Sequence, residues 1–264
     1  WAIKTAEAGK HMLCEKPLAM NAADAAAIID AAQRHDVFLM EAFMYRCNPQ
    51  TARLVELLRE KSIGEVRMIR ASFGFNVGDK YEGRAIAHEH GGGGILDVGC
   101  YPVSMSRLIA GVASGLDFLD PVDVQASGHL GSAATDEWTA ALLEFPNGIV
   151  AEISTGVRLA LDNVVTIFGS DGMIHLPSPW FCSGNEGGSS TIEITPSGEP
   201  SHIEEVSCDG WLYGLEADVV ARNIENRQSP SPAMSWADTM GNMRTLDAWR
   251  RCIGLTYNDD LPEG

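Results

Sequence analysis

The sequence has no Cys-x-x-Cys pair, and its six cysteines (14, 47, 100, 182, 208 and 252) stand far apart. That spacing excludes a disulfide-knit scaffold or a zinc site and fits reduced thiols in a cytoplasmic protein. No run approaches the ~20 apolar residues of a membrane span. Positive charge is scarce: 19 Lys and Arg stand against 36 Asp and Glu, a formal net charge of −17. So acidic a surface repels phosphate backbones and anionic lipid, which argues against nucleic acid or membrane as a partner. There is no Gly-x-Ser-x-Gly elbow of an α/β-hydrolase, no internal repeat and no low-complexity tract. No Met opens the chain. Trp1 leads directly into helical residues stopped by Gly9, so the sequence reads as cut at its N-terminus, with any signal or cofactor motif lying upstream.

What is present is ordinary for a globular protein of about two domains: 264 residues, 45% hydrophobic and 21% charged. Two patterns follow one another. From 1 to 62, strands (His11–Cys14, buried; Val37–Ala42) alternate with helices, one capped by Asn21 and one opened by Asn48-Pro49 and ending at Gly64. Alternation of this kind predicts a parallel sheet. From 63 onward strands predominate: Val66–Phe75, Val122–Leu130, Glu137–Phe145, Ile149–Leu159 across the turn Pro146-Asn147-Gly148, Val164–Phe168 and Met173–Leu176. A helix from Gly93 to Ala110 interrupts them, residues 178–201 read as loops with one short strand, and helices Tyr213–Arg227 and Trp236–Ile253 close the chain. The fold class expected is α/β followed by α+β, the second domain built on an open, mainly antiparallel sheet with flanking helices. Thr139–Phe145 and Ile149–Thr155 carry apolar residues on both faces, which predicts a homodimer through that sheet.

Two segments are candidates for chemistry. Cys14-Glu15-Lys16-Pro17 stands at the carboxyl end of a strand, the edge where open α/β sheets bind ligands; taken alone, a solvated Lys at a strand end is the commoner case. Gly91-Gly92-Gly93-Gly94-Ile95-Leu96-Asp97-Val98-Gly99-Cys100-Tyr101-Pro102 places an acid and a phenol four residues apart on one helix face. A buried Tyr–Asp hydrogen bond with glycines serving helix packing explains that pattern equally well. His88-Glu89-His90 lacks a third ligand at recognisable spacing, so no metal is expected; lining a pocket beside Asp97 is the better reading. Trp138, Trp180 and Trp211 pack more often than they stack on a ligand. Asp162 and Asn163 read as turn residues.

Together with Glu41-Ala42-Phe43-Met44-Tyr45-Arg46 and Asn48-Pro49, these motifs occur in an order that resembles the Gfo/Idh/MocA oxidoreductases, and in particular those members with Tyr where others have His. The resemblance implies that residues 1–62 are the C-terminal part of a Rossmann-like, dinucleotide-binding domain and 63–264 a substrate-binding and dimerisation domain. It implies NADP or NAD as cofactor and a sugar or cyclic polyol as substrate. Lys16 matches the family's catalytic lysine, Asp97 its helix acid and Tyr101 its proton donor or acceptor. Glu15, Lys16, Pro17 and Arg46 match positions near the nicotinamide. A phenol of ordinary pKa near 10 is a poor base, and the Lys16 ammonium is expected to favour its phenolate. The family's Gly-x-Gly-x-x-Gly loop does not occur in this sequence. A non-catalytic sugar-binding or regulatory protein on the same scaffold is the alternative, and the loops 76–90 and 178–201 are those that would contact the sugar.

Overall fold

The computed structural model describes residues 1–79, 82–184 and 186–260; residues 80, 81 and 185 of the two sugar-contact loops lie outside the described residues. The chain begins α1 (Ala2–Glu7), β1 (Met12–Glu15), α2 (Ala22–Arg34), β2 (Leu39–Ala42), a 3₁₀ turn (Met44–Cys47) and α3 (Pro49–Arg59). β1 and β2 pair in parallel, Met12 opposite Leu39 and Glu15 opposite Ala42. Asn21 caps α2 because its Oδ1 accepts the otherwise orphaned Asp24 N–H at 2.8 Å. Ala25, Ile29, Ala31 and Ala32 form the buried stripe of that helix. β2 is buried throughout, whereas β1, expected to be buried, leaves Leu13 42% exposed. Among the described residues β1 has a strand partner on one side only, so part of it meets solvent. α3 stops short of Gly64 because Lys61 takes a positive φ of 55°; Ile63 reaches the core from the turn beyond.

The second sheet has eight strands: β3 (Val66–Gly74), β4 (Asp123–Leu130), β5 (Asp136–Glu144), β6 (Val150–Gly156), β7 (Val165–Gly169), β8 (Gly172–Leu176), β9 (Gly188–Pro196) and β10 (His202–Cys208). Their order is β10-β9-β8-β7-β3-β6-β5-β4, antiparallel except for the parallel pair β3–β6. β9 runs nine residues, longer than the short strand expected, and β10 has no counterpart in the sequence reading. Gly187, Gly188, Ser189 and Ser190 hide the start of β9. β10 is an edge strand with His202, Glu204 and Glu205 in it, and an edge needs no continuous apolar face.

Residues Ile95–Gly99 form a π-turn that runs into α4 (Cys100–Val112). Contrary to the sequence expectation, the helical stretch His88–Val112 is long and apolar enough to cross a membrane by length and composition. It is instead a core helix: 94% of its apolar window is buried in protein, and α4 packs on β3 and β6 and against α3 and α6. α5 (Leu212–Asn223) and α6 (Trp236–Cys252) complete the chain. α6 touches β4 and α4 but also α2 and β2; Trp236 Nε1 donates to the Leu39 carbonyl and Asp247 accepts from the Ala22 N–H, both at 2.9 Å. The other face of the sheet is open. Along β5, Thr139, Ala141 and Leu143 are buried while Trp138 and Leu142 remain 40% and 48% exposed.

Candidate active site

β1 and β2 end side by side, and the chain leaving β1 carries Glu15, Lys16 and Pro17. Glu41, at the end of β2, pins that turn: its Oε1 accepts the Leu18 N–H at 2.9 Å, and burial pushes its carboxyl up to about 7. Lys16 Nζ reaches across to the π-turn, where it donates to the Asp97 carbonyl and stands 3.4 Å from Asp97 Oδ1. The residue five positions on from Asp97 is Pro102. Lacking an N–H, it leaves no π-type partner for that carbonyl, which accepts instead from Lys16 and from the Cys100 thiol at 3.7 Å. The start of the π-turn is fixed by buried Asp136, whose Oδ2 accepts the Ile95 N–H at 2.8 Å. Gly93 has a φ of +115°, and a Cβ there would overlap Asp136 Oδ1, so glycine is required for both reasons.

Two cavities meet at Glu15, Lys16 and Asp97. One, of about 410 Å³, is walled by Phe73, Tyr101, Phe181, Tyr213 and Glu216. The other, of about 230 Å³, is bounded by Pro17, Met20, Arg84, His90, Gly91 and Gly92. Lys16, Asp97 and Tyr101 are thus brought to one cleft. The relation of lysine to phenol differs from expectation. Lys16 Nζ lies 5.2 Å from the Tyr101 ring centroid, over the ring rather than at its hydroxyl, and the Tyr101 O–H points to Met44 Sδ at 3.4 Å. The ring is 5% exposed, wedged among Phe43, Tyr45, Phe73 and Trp180. Burial drives the phenol well above its ordinary pKa, so the neutral form is favoured and the expected phenolate is not.

Arg46 is not in the cleft. Its guanidinium is consumed by Asp238 at 2.6 Å, Ser104 and the Pro232 carbonyl, and its side chain is fully enclosed. Asp238 also binds Arg107, which in turn holds Asp120; Arg46 thus belongs to a buried ionic clamp between α4 and α6. His88 bonds the Thr256 carbonyl at 2.8 Å and packs on Tyr257, while His90 lines the smaller cavity with Asp97. No cluster that could hold a metal occurs among the described residues. Trp180 packs on Phe73 and donates to the Ser72 carbonyl. Trp138 stacks on His129 on the open sheet face, and exposed Trp211 stands beside Tyr213. Asn163 is a turn residue with a φ of +57°, yet it also lines the larger cavity, which its sequence setting did not reveal. Glu216 was likewise unforeseen: one acid on an amphipathic helix carries no signal.

Residues 1–43 match the model of an oxidoreductase family with an NAD-binding Rossmann fold, and 51–175 that of the GFO/IDH/MocA C-terminal domain. A trans-1,2-dihydrobenzene-1,2-diol dehydrogenase from Xenopus tropicalis is 33% identical over 253 residues, 94% of this chain and 73% of that protein. The chain belongs to the Gfo/Idh/MocA oxidoreductases. Another relative, D-xylose 1-dehydrogenase (NADP(+)) 2 from Haloferax volcanii, is 29% identical over 94% of this chain and 72% of its own length. Among solved structures, a 3-ketoreductase from Actinomadura kijaniata in complex with NADP and TDP-benzene matches with a TM-score of 0.79 at 24% identity, covering 96% of this chain and 74% of that one. An aldose-aldose oxidoreductase from Caulobacter crescentus complexed with glycerol matches with a TM-score of 0.80 at 22% identity, over 95% and 72% of the two chains. Both likenesses bear out the expected fold class.

As a Gfo/Idh/MocA oxidoreductase, this protein is an enzyme of an NAD(P)-binding family. The residues present fit the nicotinamide end of that cofactor: the cleft opens at the carboxyl ends of parallel strands and offers a Lys16 donor between Glu15 and Asp97 acceptors. They do not include the glycine loop that cradles a pyrophosphate.

Proposed function

We propose that the cleft exchanges a hydride between NADP or NAD and the carbon of a CH–OH group of a sugar or cyclic polyol, the hydroxyl proton moving separately, with Lys16, Asp97 and Tyr101 as catalytic residues. Glu15, Lys16 and Pro17 lie against the nicotinamide in this reading, and the domain boundary falls near residue 62. One observation carries it: the Lys16 ammonium is held between Asp97 and the face of Tyr101, where two cavities join at a parallel-strand edge. When bound, the nicotinamide supplies hydride chemistry; the protein's own task is to hold the substrate oxygen and manage its proton. Asp97 holds Nζ at the edge of the cleft, where the ammonium charge and its remaining N–H bond stabilise charge on that oxygen. The buried Tyr101 phenol, kept neutral, suits proton donation during carbonyl reduction better than abstraction during oxidation. The sugar and dihydrodiol dehydrogenases among the relatives support the substrate class, and a purely sugar-binding role leaves this proton apparatus without a use.

Nicotinamide absorbance followed across a panel of aldoses and cyclic diols with the full-length protein tests the reading. Lys16→Met and Tyr101→Phe should each lower kcat/KM by about 10²–10⁴-fold. Unchanged turnover in both variants overturns the assignment. We also infer a homodimer through the exposed Trp138 and Leu142 of the open sheet, and a cytoplasmic location, which the six free cysteines fit.

A further inference from the structure

Glu216 has no place in the chemistry above, yet it is 3% exposed and lines the larger cavity. Its Oε1 has no hydrogen-bond partner among the described residues, although buried polar atoms almost always have one. Among the described residues no ion pair neutralises it either. The charged and titratable groups around it among the described residues are Glu15 at the end of β1, Cys47 in the 3₁₀ turn, Lys16, Asp97 and Tyr101 across the cavity, and Tyr213 on its own helix. Of these only Lys16 is cationic, and Asp97 already holds it. Burial, reinforced by Glu15, pushes the Glu216 carboxyl up to about 7, the response of an acid waiting without a donor. The rings of Phe73, Phe181 and Tyr213 line the same cavity as Glu216 and Lys16, surfaces suited to the C–H face of a saturated ring.

We propose that Glu216 anchors a second hydroxyl of the substrate, remote from the one that reacts, so that the ligand is an uncharged, polyhydroxylated ring rather than a simple alcohol or a phosphate ester. The inference deepens the proposed function and rests on it for the identity of the reacting end. An unpartnered buried acceptor rejects a ligand that brings no donor to it, and the Glu15 and Glu216 carboxyls that line the cavity repel an anionic ester.

The test uses the full-length protein with its cofactor, with D-xylose, cyclohexanol, D-glucose and D-glucose 6-phosphate as probes, read by calorimetric Kd and by KM. Glu216→Leu should weaken D-xylose at least tenfold and leave cyclohexanol within twofold. Glu216→Gln, isosteric and able to accept, should keep D-xylose within about threefold and improve D-glucose 6-phosphate relative to D-glucose at least tenfold at pH 8. Equal losses for D-xylose and cyclohexanol, no loss for D-xylose, or no polyol binding by the unsubstituted protein overturns the anchor. Polyol binding that depends on Glu216 without any cofactor reduction or oxidation would instead sink the hydride-transfer reading and leave the anchor standing.

Discussion

Lys16 owes its position to three others: Glu41 fixes the turn beneath it, Pro102 leaves it a carbonyl, and Asp97 supplies the charge. Shortening the side chain removes none of the core, so Lys16→Met should lower kcat/KM by about 10²–10⁴-fold while the melting temperature moves by less than about 2 °C. Asp136 behaves differently because it is buried and, among the described residues, makes no ion pair, with Arg250 acting on it only weakly from a distance. Burial raises its carboxyl from 3.8 to about 7, so the fold favours the neutral acid. That preference contributes fully below about pH 4 and is lost as pH rises toward 7. Asp136→Asn retains an acceptor for the Ile95 N–H and has no titration. Its stability relative to the parent should therefore increase from pH 4 to pH 8, by up to roughly 4 kcal/mol. Denaturant unfolding at both pH values measures the difference, and a constant gap would show that Asp136 is ionised at no cost. At this scale Lys16, Asp97 and Tyr101 were legible because they sit in compact motifs. The direction of the Tyr101 hydroxyl was not, since it depends on Met44, which is distant in sequence. Arg46 was misread for a related reason: a motif reports that a guanidinium is needed, not which carboxylate it meets.

Among the elements, α6 carries the most consequence. Its Asp238 is shared by Arg46 and Arg107, all three buried. Removing the carboxylate leaves the enclosed Arg46 guanidinium without its counter-charge and Arg107 with Asp120 alone, so Asp238→Ala should cost about 3–5 kcal/mol. Gly241, one turn on, lies so close that a Cβ would overlap the Arg107 guanidinium and Asp120. Gly241→Ala should destabilise by about 1–3 kcal/mol despite its better helix propensity. Thermal unfolding checks both, and a stabilised Gly241→Ala would show that the clamp is loose. Helices opened by Asn21 and by Asn48-Pro49 were readable because capping is a local transaction. The π-turn at 95–99 was not, because Gly93 and Asp136 create it across 43 residues of sequence. β10 escaped because pairing with β9, rather than its own apolar pattern, makes it a strand.

At the scale of the molecule, two sheets of different construction are joined by α6, which touches β2 of the first and β4 of the second. The succession of grammars in the sequence conveyed the difference in construction; the strand order, which places β3 at the centre beside parallel β6, comes from long-range pairing that no local pattern encodes. The open face predicts the assembly. With Trp138 and Leu142 both replaced by Glu, light scattering after size-exclusion chromatography should show the mass halved relative to the parent. A parent that elutes as a clean monomer would remove the dimer from the account.

The bridge made by α6 also has a temporal side. Trp236 meets Leu39 across 197 residues and Asp247 meets Ala22 across 225. On a ribosome the first strands are synthesised long before the helix that seals them, and contacts so far apart in sequence slow folding. The nascent parallel layer must therefore wait, partly uncovered, until α6 has been made, and this is the interval in which a chaperone would find it.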